Sequence, residues 1–254
     1  MMTGQEQLAT RHAEGIWEIV PEAEREAKGP AIDFSLMCKY DVLKRFGRWD
    51  AILAEKKPPA YLPITTAFWR AHRAIAYAAK KEFHKAEREY ARFLEAKFAL
   101  PEDQEEEGSI NHRVLKVSEH FIRGELALQK GDWVEAVSHL KRAARAEDGL
   151  PYGEPPVWLQ PVRHTLGAVY MKLGEFAKAE KVYEKDLEIW PDNGWSLFGL
   201  SRALSRQGRN ADAAEKFAVY EAVWEKAEEP LTTTCICLED MEAEAAPKKE
   251  PVPE

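Results

Sequence analysis

The 254-residue chain has only three cysteines, too few and too unevenly placed for a disulfide framework. Basic residues are in deficit, with 36 Lys and Arg against 44 Asp and Glu, a formal charge of −8 and a pI near 5.6. That balance argues against nucleic acid as the main partner, because phosphate neutralisation needs a cationic surface. No apolar run approaches membrane-spanning length. The segment Met1 to Val20 is polar and carries Glu6, His12 and Glu14, so no signal peptide is expected and a cytoplasmic location is the default. There is no Gly-rich phosphate loop, no Gly-x-Ser-x-Gly elbow and no His-Glu-x-x-His. His112 and His120 lie eight apart, not at the four-residue spacing that lets two histidines grip one ion. Cys235-x-Cys237 offers two thiols where a structural zinc site needs four ligands. No catalytic residue, cofactor or metal is therefore expected.

What the chain has instead is a repeat. A turn position recurs at Gly47, Lys81, Gly131, Gly174 and Gly208, in steps of 34, 50, 43 and 34 residues. Two residues on stands Trp49, Phe83, Trp133 or Phe176, with Asn210 in the last copy, and three further on Ile52, Ala86, Ala136, Ala179 or Ala213. A helix-ending glycine, an aromatic wedge and a small residue at a close approach describe a helical hairpin. Unequal steps with a fixed core pattern place the insertions in loops.

These residues, with Leu166-Gly167-x-x-Tyr170, Tyr183 and Pro191, resemble the tetratricopeptide repeat family, whose unit is two antiparallel helices in 34 residues. The resemblance runs from about Asp33 to Ala227 and is strongest from Phe121 onward. Lys81 in place of glycine and Arg163 in place of the family's tryptophan are departures. It implies an all-α right-handed solenoid of about five hairpins with a concave groove. The expected limits are an N-terminal helix or cap over 1–32, then hairpins near 33–57, 66–98, 110–147, 157–190 and 194–228. Loop inserts fall at 99–109 and 148–156, and a tail covers 230–254, disordered from 239. Asp33 is read as the N-cap of the helix carrying Phe34, Leu36, Met37 and Tyr40. The acidic run Glu102 to Glu107 reads as a solvated loop.

In the family, the first helix of each hairpin lines the groove. Projected here, the stripe comprises Phe68, His72, Ile75, Phe121, Glu125, His164, Met171, Trp195 and Phe198, with Lys172, Arg202 and Arg206 toward one end. An apolar groove with a cationic end suits an extended peptide with an acidic flank. The insert Tyr152-Gly-Glu154-Pro-Pro-x-Trp158-x-x-Pro161-Val-Arg163 resembles a segment of uncharacterised bacterial tetratricopeptide repeat proteins. Tyr152, Glu154, Trp158 and Arg163 could form a recognition platform there, Arg163 holding a carboxylate. Alternatively, the aromatics plug the gap the insert leaves, and Arg163 pairs with Glu154 or Asp186.

The leading functional expectation is a non-enzymatic scaffold that binds a peptide or partner subunit in its groove. Two alternatives stand beside it: an accessory subunit of a redox or metal-handling enzyme acting through Cys235 and Cys237, and self-association through end faces into an oligomer. The apolar, acid-flanked segment Leu231 to Leu238 is a candidate ligand from within the chain, either capping the last helix or folding back along the solenoid.

Overall fold

The computed structural model describes residues 1–100, 110–153 and 156–238. The acidic run at 102–107, Glu154 and the tail from 239 lie outside the described residues. Among the described residues there is no strand, and no helix is long and apolar enough to cross a membrane. The architecture is an all-α, tetratricopeptide-repeat-like solenoid.

Twelve helices are described. Four come before the first long hairpin: α1 (Glu6–Ile19), α2 (Glu22–Leu36), α3 (Cys38–Arg45) and α4 (Trp49–Ala54). Four helix pairs then follow: α5 (Pro63–Ala79) with α6 (Phe83–Phe98), α7 (Ile110–Lys130) with α8 (Trp133–Asp148), α9 (Val162–Lys172) with α10 (Phe176–Ile189), and α11 (Gly194–Arg206) with α12 (Asn210–Trp224). Each pair packs as a hairpin, α5 packs on α7, and α9 on α11. The first helices form an inner, almost wholly buried layer. The second helices are amphipathic and turn one face to solvent.

The five turns share one geometry. Gly47, Lys81, Gly131, Gly174 and Gly208 all have positive φ, between 61° and 80°. In each turn the next amide reaches back five residues: Arg48 N–H to the Leu43 carbonyl, Glu82 to Tyr77, Asp132 to Ala127, Glu175 to Tyr170 and Arg209 to Leu204, at 2.8–3.1 Å. This left-handed cap satisfies carbonyls that the helix end leaves open. Lys81 adopts it despite its Cβ, which confirms the register by conformation rather than by residue type. The small positions behave as the close approach requires: Ile52, Ala86, Ala136 and Ala179 are fully buried.

A second close approach explains two further glycines. Tyr183 of α10 is fully buried, its ring inserted between α9 and α11. A Cβ at Gly167 or at Gly199 would come within 2.4 Å of that ring. The pair of glycines is the slot that admits the tyrosine.

The N-terminal region departs from expectation. Asp33 does not begin a helix; it lies inside α2 and caps α5 from thirty residues away. Its carboxylate accepts from Ile64 N–H and Thr65 N–H at 2.7 Å each, while Thr65 Oγ1 donates to the Asp33 carbonyl at 2.6 Å. Pro63 occupies the first turn of α5, where its missing N–H costs nothing. Pro21 separates α1 from α2 by its extended backbone.

The two ends of the described chain meet. Trp195 Nε1 donates to the Met1 carbonyl at 3.1 Å, Gly194 N–H to the Met2 carbonyl at 3.2 Å, and Gln7 N–H to Glu228 at 2.8 Å. Glu6 pairs with Arg48, and Gly4 packs beneath the Trp224 ring. The last hairpin therefore has its open edge covered by the first residues of the same chain.

Candidate functional site

The inner layer does carry the expected stripe, but the stripe is covered. Phe68, His72, Ile75, Phe121, Glu125, His164, Trp195 and Phe198 are all 3 % exposed or less, and Met171 8 %. Two segments of the chain fill the space they line. One is α3, packed on α1 and α5. The other is the run Leu231 to Leu238. The expectation of an open apolar groove gives way to a filled one.

Helix α3 inserts two cations. Lys44 Nζ lies 4.5 Å from the centre of the Phe121 ring and 5.3 Å from that of Trp158. The Arg45 guanidinium sits 3.5 Å from the centre of the Trp195 ring. Both side chains are buried, and burial holds both pKa values down. Aromatic faces attract cations, more strongly where water is excluded. Acidic partners complete the arrangement: Asp41 pairs with Lys44 at 3.5 Å and with His72 Nε2 at 2.9 Å, and Asp186 acts on Arg45 electrostatically. The inner surface thus has the opposite polarity to the one expected. It is aromatic and acidic, and it holds cations. Sequence reasoning missed Lys44 and Arg45 because their helix reads as an ordinary basic helix end. Only the packing shows that it points inward.

The cationic residues of the expected stripe lie away from this centre. Arg202 stacks on Phe198 and Phe217, at 5.1 and 5.8 Å, and Arg206 on Phe176 at 4.7 Å. Lys172 is partly exposed at the end of α9.

A polar knot sits below Arg45. Asn193 Nδ2 lies 2.6 Å from His164 Nε2 and 2.7 Å from Asp186 Oδ2, and Ser196 Oγ donates to the same Asp186 oxygen at 2.5 Å. Asn193 Oδ1 accepts from Trp195 N–H, so its amide nitrogen is the donor to both neighbours. His164 Nε2 also lies 3.2 Å from the same Asp186 oxygen. Burial, with Arg45 nearby, pushes the His164 pKa down to about 4. Burial would raise Asp186, but His164 and Ser196 outweigh it and hold the carboxyl below its ordinary value.

The insert forms one side of a cavity of about 390 Å³ lined by Tyr152, Trp158, Trp190, Glu147, Asp148 and Arg163, among others. Trp158 is buried edge-on against Phe121, so it plugs the gap, whereas Tyr152 is 84 % exposed. Arg163 is engaged by acidic neighbours within the chain and does not pair directly with Asp186, while Glu154 lies outside the described residues. Arg163 Nη2 donates to both Asp148 oxygens at 2.8 Å, and Glu147 lies 3.9 Å away. Glu147 accepts from Val162 N–H at the start of α9. Burial, opposed by Arg163, raises its pKa to about 8, although 14 % of the side chain reaches the cavity mouth and water there softens the effect.

The segment Leu231 to Leu238 folds back along the inner surface. Thr234 is fully buried; its Oγ1 bonds the His164 carbonyl at 3.0 Å and the Tyr183 hydroxyl at 2.7 Å. Leu231 N–H donates to the Tyr220 hydroxyl, and Gln129 Nε2 to the Cys237 carbonyl. Cys235 and Leu238 are buried and Ile236 packs over Gly47. Cys235 and Cys237 are joined as a disulfide beside Glu125. Glu125 accepts from Thr165 Oγ1 at 3.2 Å, and burial, opposed by Lys44, pushes its pKa up to about 7.

No curated protein and no solved structure matches the chain significantly. Residues 161–226, spanning α9 to α12, match the model of the tetratricopeptide repeat family, and the helix pairs and turn geometry that precede them support a protein of that repeat type.

Proposed function

We propose that the chain is a non-enzymatic interaction scaffold whose inner surface binds a peptide, and that its own Leu231–Leu238 segment is the resident occupant of that surface. Tetratricopeptide repeats generally mediate protein–protein contacts, and residues 161–226 match that family. The observation that carries the reading is how the segment is held. A segment of bends closed by a turn at 236–237 is fixed through backbone and short polar side chains: Thr234 to the His164 carbonyl, the Cys237 carbonyl to Gln129, and Leu231 N–H to Tyr220. Contacts directed largely at backbone groups do not depend on the identity of every side chain, so another short peptide with small polar and apolar residues can take the same place. A covalently tethered occupant is present at high effective concentration, so a partner peptide competes with it and gains only its differential affinity.

The test uses the segment as its own probe. A chain ending at Pro230 is compared with the full chain for binding of a synthetic peptide covering Leu231 to Asp240. The expected outcome is a folded truncated protein that binds the peptide in trans, while the full chain binds it far more weakly. A truncated protein that stays folded and does not bind the peptide refutes the reading. So does one that cannot fold and is not rescued by the peptide.

A further inference from the structure

Glu125, Cys235 and Cys237 come together at the inner surface with one ligand atom each, all within 4.8 Å of one another. Cys237 Sγ lies 3.5 Å and Cys235 Sγ 3.9 Å from Glu125 Oε1. They meet across more than a hundred residues of sequence, which is why the two thiols looked insufficient when the chain was read alone. Independently of the sulfurs, the carboxylate is itself unusual. Glu125 is 2 % exposed, and its Oε2 is buried with no hydrogen-bond partner, whereas Oε1 is engaged by Thr165. A buried carboxylate oxygen left without a donor is costly.

We propose that the reduced form of the protein holds a zinc ion between Glu125, Cys235 and Cys237. In the structure the two sulfurs are joined, so the site is reached by reduction. Two equivalents of an external thiol reduce the protein disulfide to two thiols and become one external disulfide. Binding of Zn²⁺ then displaces the two thiol protons to solvent. The donor set selects the metal. Thiolates favour zinc and copper(I), and a carboxylate in the set favours the harder divalent ion. Charge points the same way. Two thiolates and a carboxylate gather three negative charges in a buried site where the Lys44 ammonium is already shared with Asp41, and a divalent cation offsets most of that charge. The free oxygen Glu125 Oε2 is available to the ion, and a water completes a tetrahedral shell. The site is formed by α7 and the returning segment, so a bound ion also ties that segment to the inner surface.

The experiment uses the full chain, reduced with a thiol and freed of excess reductant, with Zn²⁺ or Co²⁺ as the only added metal. The expected result is one zinc per chain, a thiolate-to-cobalt charge-transfer band with Co²⁺, and protection of Cys235 and Cys237 from alkylation by zinc. The remaining Cys38 serves as an internal reference, because burial, together with Asp41, pushes its pKa up to about 12 and makes it a slow thiol with or without metal. Cys235→Ser and Cys237→Ser each abolish the band. Glu125→Gln weakens zinc by at least about tenfold. The proposal is overturned if the reduced wild type binds no stoichiometric zinc, or if zinc fails to protect the two thiols. It is equally overturned if Glu125→Gln leaves affinity and spectrum unchanged, since the thiols then act as a simple two-sulfur chelate. Should Glu125→Gln fail to fold, the alkylation protection measured on the wild type decides the thiolate part, and Glu125→Asp takes the place of Glu125→Gln.

Discussion

Lys81 is the turn position where residue type and backbone disagree, and the disagreement can be measured. Its φ is 61°, while the four equivalent turns use glycine at 66° to 80°. A Cβ in the left-handed region costs about 1–2 kcal/mol. Glycine gives back about 0.5–1 kcal/mol through its greater freedom in the unfolded chain. Lys81 Nζ also contacts Gln129 Oε1 at 2.7 Å on the exposed surface, a bond of about 0.5 kcal/mol at most. Lys81→Gly and Lys81→Ala both lose that bond and differ only in the Cβ, so the comparison isolates the backbone. Lys81→Gly is expected to be the more stable by about 1 kcal/mol, read as a shift of the urea midpoint at constant slope. The reverse substitution checks the number. A Cβ at Gly131 meets nothing within 4 Å, so Gly131→Ala measures conformational strain without a clash and is expected to cost about 1 kcal/mol. If Lys81→Ala matches or exceeds Lys81→Gly in stability, and Gly131→Ala costs nothing, the turn argument is refuted.

Gly167→Ala and Gly199→Ala each push a methyl into the enclosed Tyr183 ring, and each is expected to destabilise by roughly 1–3 kcal/mol in thermal or urea unfolding; a neutral outcome at both would mean the tyrosine slot is loose. Asp33→Ala removes the cap of α5 and strands two amides, at a cost of about 1–3 kcal/mol, with Asp33→Asn recovering part of it. Neutral His164 favours the fold fully above its unfolded pKa near 6.5, and that contribution is lost as pH falls through its folded value of about 4. The difference in urea midpoint between wild type and His164→Gln is expected to shrink from pH 7 to pH 5, while Glu125 and Glu147, raised to about 7 and about 8, act alike in both proteins; a difference that does not change with pH would assign the His164 contribution elsewhere.

Local chemistry was legible in the chain. Five turns could be placed because a left-handed helix end has a strong residue preference and repeats at a readable interval. Even Lys81 was found, through the register of its neighbours. Ala136 and Ala179 announced a close approach because only small side chains allow it. The inner stripe could be listed for the same reason, since a helical period fixes which residues share a face.

What fills the space in front of that face is a different kind of question. Asp33 reads as a helix start by local rules, yet it caps a helix far along the chain, because a carboxylate goes where open amides are. Lys44 and Arg45 look solvent-bound, and their burial depends on Phe121, Trp158 and Trp195 arriving from three other elements. Glu125 meets Cys235 and Cys237 only after the final segment turns back. The hairpins could be read from the chain because each is held by contacts within some forty residues. Which surface is covered, and by which part of the chain, was decided by tertiary structure, because those contacts join residues whose separation carries no periodic signal.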